Sequence, residues 1–235
     1  METERSIVNI CKKQFLMQTQ NRRPSLKSLL GTLSSILFLA LISSSCTYNQ
    51  YSTVKEYQQY LNVKANGLVI TRNFEHLELV VKNIPTGMRV LQDIDKGAND
   101  MTISAMFKEY SQSILFIVSL APSQHCPVRD LNYYGVSSDE EYKERQKALD
   151  FDMAQYFNLT NGEKSLSPQI CHYEHDYGVS GKLTLLLVFA AENGSDIDLI
   201  DGSKDIKLIF NDPFFDTKIS EFNFSSSTLQ AVPKL

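Results

Sequence analysis

The residues able to do chemistry gather in two short stretches of this chain. His125 precedes Cys126, while Cys171 is followed by His172 and, three residues on, by His175. Should the two stretches meet in the fold, two thiols and up to three imidazoles suffice for a tetrahedral zinc or a soft copper site. The same cysteines support a simpler reading. Two cysteines in an exported domain most simply form a disulfide. A Cys126–Cys171 bridge closes a separation of 45 residues, which is about 4 kcal/mol of chain entropy in the usual model. It would consume both sulfurs and leave His125, His172 and His175 as bystanders. The bridge is the expected state, with no cofactor, and zinc or copper is the alternative.

Other chemistry is thinly represented. Asp93–Asp100 and Asp196–Asp205 place carboxylates around a glycine, as calcium loops do. Neither has the EF-hand spacing or a closing Glu, so both read as solvated turns rather than calcium sites. No Gly-x-Ser-x-Gly elbow, His-Glu-x-x-His pair or phosphate-cradling glycine loop occurs, and an enzyme is not expected. The chain has 11 tyrosines and no tryptophan. The missing indoles weaken a sugar-binding reading, although tyrosines can substitute. Tyr133, Tyr134, Tyr173 and Tyr177 cluster near the cysteine stretches, where they read as amphipathic cover.

The N-terminus is an address. Residues 1–27 carry six basic side chains against Glu2 and Glu4, and an uncharged run of 14 residues follows from Leu29 to Ile42. Ser43-Ser44-Ser45-Cys46 comes next. A basic segment, an apolar core too short for a comfortable membrane span and small residues before a cut site make a secretory signal. Leu41-Ile42-Ser43-Ser44-Ser45-Cys46 resembles the lipobox of bacterial lipoproteins, with Ser43 at the usual aliphatic position and Ile42 one place further out. That resemblance implies cleavage of residues 1–45 and lipid attachment at Cys46. Each buried acyl methylene adds about 0.8 kcal/mol, so several chains on one residue anchor it lastingly. Basic residues stay on the cytoplasmic side, which puts the remainder on the exported side of the cell envelope. Thr47, where such proteins commonly carry an inner-membrane Asp, favours the outer membrane.

Positioning falls to the exported part. Removing the leader leaves 17 basic against 25 acidic residues, a net charge of −8, which gives nucleic acid no electrostatic footprint. Residues 46–60 read as a polar tether and 61–235 as one domain. Residues 67–74, 77–81, 206–210 and 219–224 look like strands, and Met101–Phe107 alternates as a half-buried strand does. Ile114–Ala121 and Leu183–Ala190 are nearly continuous apolar runs, as central strands are. Ser138–Glu141 is a capping box that opens an amphipathic helix over about 138–157. The expected fold is mainly β, an antiparallel β-sandwich of immunoglobulin-like size with one inserted helix. The expected role is a lipid-anchored, non-enzymatic binding or assembly-accessory module with a protein partner in the envelope. The alternative is a periplasmic metal-binding lipoprotein.

Overall fold

The computed structural model describes residues 53–94, 99–191 and 194–231. The leader, Cys46 and the first residues of the expected tether lie outside them. Helix α1 (Val54–Asn62) begins at Thr53, whose hydroxyl accepts from the Glu56 amide at 3.2 Å. Its Tyr57 and Leu61 lie one turn apart and are both buried. Residues 54–60 therefore belong to the folded domain, which corrects the tether expectation there: a stretch rich in Gln and Tyr buries one stripe of a helix.

Strands β1 (Val69–Asn73) and β2 (Leu77–Ile84) form a hairpin, followed by helices α2 (Thr86–Asp93) and α3 (Asp100–Tyr110). Helix α3 replaces the strand expected at Met101–Phe107. Asn99 Oδ1 caps it by accepting from the Thr102 amide at 2.9 Å. Ile103, Met106, Phe107 and Tyr110 share a half-buried face at helical spacing, so the two-residue alternation there was a coincidence of composition.

Strand β3 (Ser113–Pro122) leads through a loop to helix α4 (Asp139–Phe151). Ser138 Oγ accepts from the Glu141 amide at 3.2 Å, and Glu141 Oε2 accepts in return from the Ser137 amide at 2.6 Å. The expected helix thus starts where the capping box put it, but it stops six residues early. A 3-10 turn over Met153–Tyr156 separates it from strand β4 (Phe157–Thr160). Strands β5 (Ser165–Leu166), β6 (Ile170–Glu174), β7 (Leu183–Ala190), β8 (Ile206–Asn211) and β9 (Ile219–Phe224) follow, and short helix α5 (Ser226–Gln230) comes last.

All strand pairs are antiparallel. They build a five-stranded sheet, β1-β2-β3-β7-β6, and a four-stranded sheet, β5-β4-β8-β9. The two sheets share one core, in which Val81, Phe116, Val118, Leu185, Leu187 and Phe189 meet Leu159, Leu208, Phe210, Phe222 and Phe224. Phe116 and Phe224, one from each sheet, lie 5.2 Å apart between ring centres. The β-sandwich is therefore the fold, with five helices among the described residues instead of one.

A second cluster explains the apolar run of β3. Tyr57 and Leu61 of α1 and Met88 of α2 pack with Leu68 and Ile84 against Leu115 and Ile117, which point away from the main core. Both faces of β3 are covered, so both sets of alternating side chains are apolar.

Candidate binding cleft

The structure separates the cysteines and their histidines. Cys171 lies on edge strand β6 opposite Leu187, which is itself opposite Phe116 at mid-sheet. Cys126 sits in the turn past the end of β3, where its amide donates to the Ser123 carbonyl at 3.1 Å. Both thiols are unbonded and half-buried against the main core. Burial pushes the Cys171 thiol up to about 11, so at neutral pH it is protonated and a poor metal ligand.

His125 shares the turn of Cys126, where its amide donates to Ser123 Oγ at 3.1 Å and its carbonyl accepts from His76 Nδ1 at 3.1 Å. His172 is exposed on the outward side of β6, alternating with inward Cys171 and Tyr173. Among the described residues, no three His, Cys, Asp or Glu side chains converge as a metal ion would require. The acidic loop over Asp196–Asp205 is occupied by its own chain. Asp198 pairs with Lys164 at 3.0 Å and Lys204 at 3.1 Å, and Asp205 accepts from the Ser226 amide at 2.7 Å. Asp95 lies outside the described residues.

His175 enters a cavity. It lines a cleft of about 350 Å³ together with Tyr133, Tyr142, Tyr173 and Tyr177. Three segments supply the walls. The first is the turn before α4, where Asp130 Oδ1 accepts from both the backbone amide and the side-chain amide of Asn132, at 2.9 and 3.0 Å. The second is α4, which places Tyr142 and Gln146 one turn apart on one face. The third is β6 and its following loop.

The floor is a closed polar network. Asn132 Oδ1 accepts from Gln146 Nε2 at 2.8 Å and from the Tyr173 hydroxyl at 3.2 Å. Asn132 is 7% exposed and Tyr173 3%, so these bonds form in a low-dielectric setting where an unmade one would be expensive. Burial pushes the hydroxyl of Tyr173 upward, as it does that of Tyr142 with Tyr133 beside it. Both stay neutral donors at physiological pH.

The side walls are aromatic. Tyr133 and Tyr142 stack at 4.9 Å with 16° between planes, and His175 stacks on Tyr177 at 5.9 Å. His175 is held from behind, its Nε2 2.9 Å from Asp150 Oδ1. Tyr177 is 91% exposed at φ 52°, a left-handed conformation that disfavours a side chain by about 1–2 kcal/mol. Asp176 holds it there, accepting from the Gly178 amide at 2.8 Å and the Ser180 amide at 3.0 Å.

No protein-family model matches this chain, and no curated protein or solved structure is detectably similar to it. The cleft must therefore be read from its own chemistry. It holds aromatic faces, neutral hydroxyls, two amides, an imidazole and a carboxylate, and its lining contains no lysine, arginine or cysteine. Such a set can grip a small ligand by stacking and hydrogen bonds.

Of the residues in it, Tyr133, Tyr173, Tyr177 and His175 stood out in the sequence. Asp130, Asn132, Tyr142 and Gln146 did not. The available signal was Asp130-x-Asn132, a turn-forming pair beside the tyrosines. Tyr134 turns elsewhere, to the rings of His76 and Phe215.

Proposed function

We propose that this domain is a non-enzymatic ligand-binding module, held on the exported side of the cell envelope by a lipid on Cys46. The observation that carries the binding reading is a preformed cleft whose walls are fixed before any ligand arrives. Its floor is locked by the Asn132 network and its rim by the Asp176 turn, so little ordering entropy remains to be lost on binding. The anchoring half rests on the lipobox-like Leu41–Cys46 stretch.

Two measurements test the two halves. Cys46→Ala should leave an unprocessed, larger precursor, while the wild-type protein partitions into detergent; a soluble, normally processed variant contradicts the anchor. A chemically mixed panel of neutral sugars, quaternary amines and short peptides should contain one class that raises the melting temperature. Tyr142→Ala should abolish that rise. A panel without effect, or a rise indifferent to Tyr142, contradicts the binding module.

A further inference from the structure

On the reading that the cleft is the binding site, we infer that its ligand is an uncharged pyranose sugar, gripped between two aromatic faces and hydrogen-bonded to Asp130 and Gln146. The charge of the lining excludes the commonest competitor. No lysine or arginine lines the cleft, its one basic side chain, His175, is already paired with Asp150 at 2.9 Å, and the Asp130 carboxylate lines it too, so a phosphate or carboxylate ligand would meet a like charge without a free counter-charge.

The floor sets the hydrogen-bond demand. Asp130 uses Oδ1 on Asn132, and Gln146 uses Nε2 on Asn132. Among the described residues, Asp130 Oδ2 and Gln146 Oε1 accept no hydrogen bond. Both atoms are thus open to accept from a ligand. Sugar hydroxyls are donors, and those given to a carboxylate are the stronger, charge-assisted kind.

The walls set the shape. Tyr133 and Tyr142 stacked on each other leave the pair only its outer faces, and Tyr177 is backed by His175 in the same way. Two flat, apolar surfaces with polar groups beneath them suit a ring with C–H faces and hydroxyls at its edge. A quaternary ammonium favours ring faces turned to it from several sides and brings no donor for the two open acceptors. The volume of about 350 Å³ is at the small end for ligand sites, matching one or two sugar units rather than a long chain. Tyrosine thus takes the place that the absent tryptophan would hold.

Tyr177 supplies the decisive variant. It is exposed and sits at positive φ, so Tyr177→Gly removes a wall while relieving the backbone. Full-length protein in a non-glycosidic detergent would be titrated with methyl β-glucoside, cellobiose and di-N-acetylchitobiose, and separately with choline and glucose 6-phosphate. Saturation-transfer NMR reads which ligand protons touch the protein. At least one neutral sugar should bind, with transfer strongest on its ring C–H protons. Tyr177→Gly should weaken binding at least tenfold with an unchanged or higher melting temperature. Binding of choline or the phosphate sugar in preference overturns the sugar inference and leaves the cleft as a site for another ligand. Neutral-sugar binding indifferent to Tyr177→Gly overturns it by placing the sugar elsewhere. No binding by any neutral sugar overturns the inference alone, since the mixed panel decides the binding module separately.

Discussion

Gly181 lies so close to Arg129 that a Cβ built on it would sit 2.0 Å from the Arg129 carbonyl oxygen. The Leu131 amide donates to the Gly181 carbonyl at 3.1 Å in the same place. This contact closes the loop after β6 against the turn before α4, the two segments that face each other across the cleft. Gly181→Ala must combine a left-handed alanine at φ 67° with a backbone clash. The expected loss is at least about 2 kcal/mol, measured by urea unfolding. Gly178→Ala is the control. Its φ is 76°, but its Cβ would meet only Asp130 Oδ2 at 3.5 Å, an ordinary contact, so the loss should be about 1 kcal/mol.

Helix α4 is part of the core rather than an appendage. Leu149 is 1% exposed and packs in the cluster shared by both sheets. Leu149→Ala should destabilise the whole domain by about 2–5 kcal/mol, and Leu149→Asp should do more. Circular dichroism at a helical and a strand wavelength should show one coincident transition; separate transitions would detach the helix from the sandwich.

Cys171, held near 11 by burial, should alkylate slowly at pH 8. Its rate should climb about tenfold per pH unit toward that value as thiolate forms. Protein unfolded without reductant should label at both Cys126 and Cys171, since the thiols are unbonded. A cross-linked Cys126–Cys171 peptide in unreduced digests would contradict this.

The Asp176 turn should survive mild acid. Its carboxyl is held below the ordinary 3.8, chiefly by the Ser180 hydroxyl and further by the Gly178 and Ser180 amides. A carboxyl whose folded pKa is lowered adds stability that is whole above its unfolded pKa and lost as pH falls through the folded one. Amide exchange at Gly178 and Ser180 should therefore stay protected at pH 4 and lose protection only in stronger acid. Asp176→Ala should lose it at neutral pH.

The sandwich was legible because its central strands advertise themselves as apolar runs: Ile114–Ala121 is covered on both faces, and Leu183–Ala190 is buried on one face and half-buried on the other. The Ser138 cap was legible for a local reason, two reciprocal hydrogen bonds within five residues. Met101–Phe107 misled because its alternation also satisfies a helix whose face is only half-buried, and Asn99 decides between them. Strand β6 escaped notice because it is an edge: Ile170, His172 and Glu174 face outward, so its composition looks like a loop. The cleft is the least legible feature. Its tyrosines are visible, but Asn132, Gln146 and Tyr173 come from separate elements, and only tertiary packing brings them to one network.

The claim that the cleft binds a ligand is tested most directly by hydrogen–deuterium exchange on the full-length protein, with and without a panel compound that raises its melting temperature. The account predicts added protection confined to residues 130–134, 142–146 and 173–178, and its disappearance in Tyr177→Gly. Protection elsewhere in the sandwich, or protection at these segments that persists in Tyr177→Gly, would contradict it.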